Sequence, residues 1–209
     1  MDETAAVPAR KRPKPGERRV QILQALATML EQPGAERVTT AVLAARLEVS
    51  EAALYRHFAS KAQMFEGLIE FIEHTVFALL NQIVPPGDAV PAASADTGVR
   101  QAGRVVGVLL QFAEKNPGMA RVMVGDALVF ENERLQQRMN QFFDRVESTL
   151  RQCLRAAAQS AGSDTPTMDA QVRAAVLTAF VMGRLQRFTR SGFRRVPSEH
   201  LDASLALML

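Results

Sequence analysis

The stretch VSEAALYRHFASK, residues 49–61, concentrates side chains that can take part in acid–base or phosphate chemistry. It contains the single tyrosine of the chain, Tyr55, one of its three histidines, His57, and the cations Arg56 and Lys61. Three interpretations are open: a catalytic cluster, a surface that binds phosphates, or an ordinary amphipathic turn. The neighbouring residues and the elements that carry them must decide.

The catalytic interpretation lacks partners along the sequence. His57 has neither an acid nor a nucleophile at activating spacing, and Tyr55 and Lys61 stand six residues apart, which matches no activation motif. The histidines at 57, 74 and 200 lack the spacing of a metal site. The glycine-rich phosphate loop GxxxxGK[ST] does not occur either. We therefore expect no enzymatic activity, no metal and no cofactor.

Composition favours one or two globular units in a reducing compartment. The chain has 209 residues, of which 47% are hydrophobic, and a net charge of +3. Cys153 is the single cysteine, which excludes a disulfide framework within one chain. No apolar run approaches the roughly 20 residues that span a bilayer, and no signal-peptide pattern follows the basic N-terminus. We expect a cytoplasmic protein without a membrane segment.

The N-terminal segment, residues 1–16, is predicted to be a disordered basic arm. Six Lys or Arg residues lie between Arg10 and Arg19 against one acid, Glu17, and prolines at 8, 13 and 15 oppose a helix. Such a run is either a solvated tail or an arm that neutralises DNA phosphates along a groove.

Hydrophobic periodicity after the arm is helical almost throughout, without an alternating strand pattern. A first helix at 17–32 places Val20, Leu23, Ala27 and Leu30 on one face. Residues 85–98, rich in Pro, Gly, Ala and Ser, are predicted to be a loop. Further helices are predicted at about 39–47, 51–57, 61–84, 99–115, 119–128, 131–160, 167–191 and from 198 onward. The last is short for a closed bundle, which leaves open whether the native chain continues beyond Leu209.

The second and third helices have the features of a helix-turn-helix unit. Ala44 supplies the small residue that the first helix of such a unit needs, and Leu54 supplies the apolar residue at the crossing. The turn between them requires a positive φ, which places Glu48 where glycine is usual. The second helix of the unit would then lie in the major groove of DNA.

The role predicted for each residue of that helix depends on its position along the helix. Glu51, Ala52 and Ala53 come first, nearest the base edges, where a carboxylate accepts from cytosine and methyl groups contact thymine. Glu51 has an equally good alternative role, because an acid at a helix N-terminus interacts favourably with the helix dipole. Ser50 caps the helix and belongs to the same surface.

The phosphate donors are predicted at the two ends of the unit. Tyr55, His57 and Lys61 lie where the DNA backbone should pass, and Thr39 and Thr40 lie at the start of the second helix. Lys61 also opens the fourth helix, whose first amides favour an anion.

The residues RVTTAVLAARLEVSEAALYRHFASKAQMFEGLIEFIE resemble the DNA-binding domain of TetR-family regulators. The resemblance implies an all-α, TetR-like dimer with a helix-turn-helix DNA-binding domain at 17–77, its motif at about 39–58. Residues 78–209 would form a helical core that binds partners and dimerises. Most members of the family sense small molecules in this core.

A second stretch, EKNPGMARVMVGDALVFENERLQQRMNQFFDRVESTLRQCLR, resembles a narrower group of that family, the nucleoid occlusion factors. This resemblance implies homodimers on pseudo-palindromic chromosomal sites, nucleoid association, and inhibition of ring assembly by the tubulin-like protein FtsZ. The number of dimers at one site stays open. Phe71 and Asn116 match the group's partner surface, and Lys115 stands beside Asn116 in place of the group's arginine, whereas Leu79 and Gln111 depart from its pattern.

The alternative function is a transcriptional repressor that a small ligand releases. A ligand sensor needs an apolar pocket with converging polar groups, and polar residues such as Thr178 and Gln186 are sparse in the last helices. We therefore expect no small-molecule ligand.

Dimerisation is predicted on the last two long helices. A stripe of apolar and small residues suits close helix packing, although it equally suits an intramolecular core; its members are Val172, Val176, Ala179, Phe180 and Gly183.

Overall fold

A computed structural model describes residues 16–32, 38–85 and 95–209. Within these ranges the chain is all-α, which confirms the predicted fold class, and no strand is present. The helices are α1 (Glu17–Leu30), α2 (Thr40–Arg46), α3 (Glu51–Tyr55), α4 (Lys61–Ile83), α5 (Ala95–Lys115), α6 (Pro117–Met123), α7 (Glu133–Ser160), α8 (Pro166–Arg190) and α9 (Leu201–Met208). Apart from Gly16, the predicted arm lies outside the described residues, as does the centre of the predicted loop at 85–98.

The helix starts follow from local capping chemistry. Ser60 accepts a hydrogen bond from the Gln63 amide at 3.2 Å, and the Gln63 side chain accepts from the Ala59 amide at 2.8 Å. This reciprocal arrangement is close to a capping box and fixes the start of α4. Prolines occupy the first turn of α6 and α8, where a missing N–H costs nothing.

The predicted sixth helix, 119–128, is divided in two. α6 ends at Met123, and a 3₁₀ turn follows at Asp126–Leu128. Gly125 between them takes φ 85°, a left-handed conformation that an α-helix cannot continue. The fifth helix also begins four residues earlier than predicted, at Ala95.

Two large apolar residues on the first and fourth helices are exposed rather than buried. Val20, predicted to share one face with Leu30, is 54% exposed, because the buried face of α1 is centred on Ile22, Leu26 and Leu30 and does not extend to Val20. Leu79 on α4 is 39% exposed at the rim of that helix's buried face, which Leu80 occupies.

One hydrophobic core joins the two parts of the chain. α4 packs against α1 on one side and against α5 and α7 on the other, and α7 and α8 form the longest helix pair. α1 and α6 approach closely at Gly118, where an added Cβ would overlap the backbone carbonyl of Ala27. The elements predicted to bind DNA are therefore packed directly on the C-terminal helices. None of the described helices has the length and hydropathy to cross a membrane.

Candidate nucleic-acid interface

The helix-turn-helix unit consists of α2, the turn at 47–50 and α3. Glu48 takes φ 53°, which confirms the predicted positive φ at a residue other than glycine. The Val49 amide closes the turn by donating to the Ala44 carbonyl at 3.0 Å. Ala44 and Leu54 are both buried, so the small side chain lets α3 cross close to α2. The geometry is that of a unit that inserts α3 into a major groove.

A hydrogen-bonded chain links the start of α2 to α3. The Thr40 hydroxyl donates to Glu51 Oε2 at 2.6 Å, and the Tyr55 hydroxyl donates to Thr40 Oγ1 at 3.5 Å. Thr39 has a different role, because its Oγ1 accepts from the Val42 amide at 3.3 Å and caps α2. Thr40 thus holds the Glu51 carboxylate in one orientation at the N-terminus of α3, where both roles predicted for Glu51 are available to it.

The small residues of the predicted base-reading surface lie at the N-terminus of α3. Ala52 is exposed and Ala53 is half-buried, so both methyl groups are within reach of a ligand in front of the helix. Ser50 Oγ accepts from the Ala53 amide at 3.3 Å, which leaves its hydroxyl proton free to donate to a phosphate.

Arg19 fixes the far end of α3, a contact that the sequence did not predict. Its Nη1 donates to the His57 carbonyl at 2.8 Å, and its guanidinium lies 4.1 Å from the centre of the Phe58 ring. Phe58 is buried, whereas the His57 side chain is exposed beside the helix end. In the sequence Arg19 belongs to the basic segment, and only the fold brings it to the recognition unit.

Lys61 also has a partner that the sequence did not predict. Its Nζ lies 2.5 Å from Oε1 of Glu131, whose side chain is only 9% exposed, in the segment before α7. The Lys61 side chain is 30% exposed, so it stays accessible from one side. A DNA phosphate at this position would compete with Glu131 for the ammonium.

Two further ion pairs fasten α4 to α7. Arg138 donates from Nε and Nη2 to the two carboxylate oxygens of Glu73, at 3.1 and 2.6 Å. This bidentate bond raises the pKa of the Arg138 guanidinium above its usual value. Arg134 pairs with Glu66 at 3.1 Å. These pairs hold α4 in register, and with it Lys61.

The residues of the predicted partner surface lie on α4 and at the end of α5. Phe71 is 47% exposed, while Phe77 lies between the Phe142 ring, 5.4 Å away, and the Arg145 guanidinium, 3.8 Å away. Of the two phenylalanines, Phe71 is therefore the accessible one. Lys115 is exposed, and the half-buried Asn116 donates from Nδ2 to the Phe112 carbonyl at 2.8 Å.

The predicted dimer stripe on α8 faces outward. Val172 and Val176 are 54% and 48% exposed, Ala179 is exposed, and nothing lies within 4 Å of a Cβ added at Gly183. Phe180 differs, because it is partly buried against the core. An intramolecular core is therefore the wrong interpretation for the other four residues. An exposed apolar stripe along a long helix is typical of an interface.

The one cysteine of the chain, Cys153, is buried in the core. Burial raises the pKa of the Cys153 thiol to about 11, so the nucleophilic thiolate is scarce. Among the described residues, no group of three His, Cys, Asp or Glu side chains could hold a metal ion.

Among the clefts lined by described residues, three are open to the surface. Their volumes are about 330, 370 and 490 Å³. The first has a mainly apolar lining that includes Phe143, Met182 and Gln186. The second is lined by arginines, and the third by polar residues of α7 and α8.

Both halves of the chain match known protein families. Residues 22–68 match the family described as bacterial regulatory proteins, tetR family, and residues 96–209 match the SlmA-like family described as tetracyclin repressor-like, C-terminal domain. The chain is 49% identical over 192 residues to the nucleoid occlusion factor SlmA of Vibrio cholerae serotype O1, covering 91% of this chain and 93% of the relative. It is 50% identical over 186 residues to the protein of the same name from Photobacterium profundum, covering 88% and 90%.

Solved structures share the fold at much lower identity. The transcriptional regulator FadR from Bacillus subtilis, in complex with stearoyl-CoA, matches with a TM-score of 0.67 and 14% identity, over 90% of this chain and 96% of its own. The TetR-family regulator PfmR from Thermus thermophilus matches with a TM-score of 0.66 and 18% identity, over 90% and 94%. These likenesses concern the fold alone.

Proposed function

Because this chain belongs to the SlmA family of nucleoid occlusion factors, within the TetR family, we propose that it acts as such a factor. It binds pseudo-palindromic chromosomal sites as a homodimer, and its DNA-bound copies prevent FtsZ from assembling a division ring over the nucleoid. It is a cytoplasmic, nucleoid-associated protein whose output is a protein contact.

The main support for the proposal is the similarity of the C-terminal half of the chain to nucleoid occlusion factors. The identity of 49% extends over 91% of the chain, and the SlmA-like match covers residues 96–209, outside the DNA-binding domain. Regulators of the TetR family usually differ from one another in this half. FadR and PfmR, which share the fold, are only 14% and 18% identical.

DNA binding is proposed through the exposed face of the helix-turn-helix unit. Glu51, Ala52 and Ala53 read base edges, and the flanking hydroxyl and basic groups bind phosphates. The order along α2, α3 and α4 supports this division, because hydrogen-bond donors flank a small-residue helix start on both sides. The phosphate-binding residues are Thr39, Thr40, Ser50, Tyr55, His57 and Lys61.

The two-fold symmetry of a dimer supports binding to a pseudo-palindrome, because each copy then presents one α3 to one half-site. The exposed stripe on α8, with Val172 and Val176 at its centre, is the surface proposed for the second copy.

The FtsZ contact is proposed on Phe71, Lys115 and Asn116. Phe71 supplies an accessible aromatic side chain of the kind that anchors interfaces. Lys115 supplies a positive charge at the end of α5, which packs against α4.

The test is FtsZ polymerisation in the presence of the purified protein and a chromosomal duplex selected by its binding. We expect polymer mass, followed by light scattering and sedimentation, to fall only when protein and specific duplex are both present. A scrambled duplex of equal length is the control. If polymers are indifferent to the DNA-bound protein, the alternative, a ligand-released repressor, replaces this proposal.

A further inference from the structure

The second cleft, of about 370 Å³, lies where α8 ends and the chain turns toward α9. Its lining includes three guanidinium groups, those of Arg184, Arg187 and Arg195, together with the His200 imidazole and one carboxylate, Glu199. We propose that this cleft is a phosphate-binding site, which takes a small molecule or a nucleic-acid segment bearing two neighbouring phosphate groups.

Unpaired positive charge is the first observation behind the proposal. Among the described residues, neither Arg187 nor Arg195 forms an ion pair or a side-chain hydrogen bond, and both are exposed. The one carboxylate at the cleft, Glu199, has its nearest cationic partner in His200, at 3.6 Å. In the single chain these two guanidinium groups are therefore available to a ligand, and guanidinium binds phosphate in a bidentate manner.

The third guanidinium is held in place. Arg184 donates from Nη2 to the Ser204 hydroxyl at 3.0 Å, and its guanidinium lies 4.9 Å from the centre of the Phe180 ring. A cation that is already ordered loses less conformational entropy when an anion binds it.

The loop that carries Arg195 is fixed by its own hydrogen bonds. Ser191 Oγ accepts from the amides of Arg194 and Arg195, at 3.1 and 2.9 Å, and donates to the Phe188 carbonyl at 2.9 Å. Further along, the Ser198 amide donates to the Glu114 carboxylate at 2.8 Å, which ties the loop to α5. The opening of the cleft is thus preformed.

Backbone strain on the same loop is the second observation. Phe193 takes φ 63° and His200 takes φ 55°, both left-handed conformations that are costly for residues other than glycine. Such conformations persist where the surroundings fix them, and here they bend the chain so that Arg195 faces the arginines of α8. A favourable interaction with the helix C-terminus would account for Arg187, but it does not account for Arg195 in the following loop.

The charge and polarity of the lining define the ligand. The cleft of about 370 Å³ lacks the aromatic walls of an apolar pocket and is lined mainly by charged side chains. Three guanidiniums against one carboxylate favour more than one phosphate. None of the residues that line the cleft belongs to α3, α4 or α5.

The test uses the full-length protein and inorganic pyrophosphate, titrated by calorimetry at fixed ionic strength. We expect saturable binding of one pyrophosphate per chain, which the double variant Arg187→Gln/Arg195→Gln weakens about tenfold or more. The matched control is Arg190→Gln/Arg194→Gln, which removes the same charge from arginines that do not line the cleft. The control should change the affinity less than about twofold.

Two results overturn the proposal: no saturable binding by the wild-type protein, or an equal loss in both double variants, since that would mean a diffuse positive surface. Thermal melting of all three proteins checks that they fold alike. Duplex DNA without a specific site distinguishes the sources of phosphate. If it displaces pyrophosphate, the site holds a DNA backbone; if pyrophosphate stays bound, the site holds a free phosphorylated molecule.

Discussion

The ammonium of Lys61 lies 2.5 Å from the Glu131 carboxylate, which joins the first turn of α4 to the segment before α7. Lys61 is at the same time the residue predicted to bind a DNA phosphate beyond α3. Lys61 is thus both the predicted partner of a DNA phosphate and the observed partner of a largely buried carboxylate in the segment before α7. When DNA binds, its phosphate either shares the Lys61 ammonium with Glu131 or displaces Glu131 from it.

Replacing Lys61 with alanine should weaken DNA binding and reduce the slope of log affinity against log salt by about one unit, because one phosphate contact is lost. Fluorescence anisotropy at several salt concentrations measures both quantities. Since the variant also leaves Glu131 without its partner, its stability should be measured in parallel. An unchanged salt slope would contradict the phosphate contact.

Replacing Glu131 with glutamine should have the opposite effect and strengthen DNA binding a few-fold. A DNA phosphate could then bind Lys61 without breaking its ion pair with Glu131. Removing a negative charge near DNA has a general effect too, so the same change is needed in a Lys61→Ala background. We expect a clearly smaller gain there, and the difference is the coupling between the two residues. Equal gains in both backgrounds would show that Glu131 acts only as a distant charge.

Replacing Phe71 with alanine should leave affinity for specific DNA unchanged while abolishing most of the effect of the DNA-bound protein on FtsZ polymers. Phe71 is 47% exposed, so its loss opens no cavity. Phe130→Ala is the matched control, since Phe130 is another exposed phenylalanine, at 62%, outside α4 and α5. Its affinity for specific DNA is measured as well, because Phe130 precedes Glu131, the partner of Lys61. If the two variants inhibit FtsZ equally well, Phe71 is not part of the contact.

Local chemistry made much of this architecture predictable. The caps by Ser50 and Ser60, the end of α5 at Lys115 and the left-handed Glu48 all depend on a few consecutive residues. The error at Val20 is different in kind. A helix of 14 residues with several apolar positions admits more than one face, and packing against other helices decides which face is buried.

Contacts between distant residues could not be predicted from the sequence. Lys61 and Glu131 are 70 residues apart in the chain, and Glu73 and Arg138 are 65 apart. Nothing in the spacing of such pairs predicts that they meet. The arginine cleft was missed for a related reason, because it depends on the bend of the loop after α8 and not on a linear motif.

Replacing Gly118 with alanine should lower the free energy of unfolding by about 1–3 kcal/mol, because the new methyl group overlaps the Ala27 carbonyl and forces α1 and α6 apart. Denaturant unfolding at a fixed protein concentration measures this. Gly107→Ala is the matched control, since its Cβ would meet only Leu201 at 3.8 Å, and a helical Gly→Ala change is stabilising by about 0.5–1 kcal/mol. If both variants gain stability, the close approach of α1 and α6 is absent in solution.

Replacing Val176 with glutamate should dissociate the dimer, since a charge in the centre of an apolar interface would be desolvated without a partner. Val176 is 48% exposed in the single chain, so the variant should keep its helical circular dichroism. Light scattering coupled to size exclusion should find monomer at concentrations where the wild-type protein is dimeric, with a dimer dissociation constant raised about a hundredfold. Affinity for a two-half-site duplex should fall with it, because each copy then binds one half-site alone. Val129→Glu places the same charge on a valine that is 70% exposed elsewhere, and it should leave the dimer intact. A dimer that survives Val176→Glu would move the interface away from this face of α8.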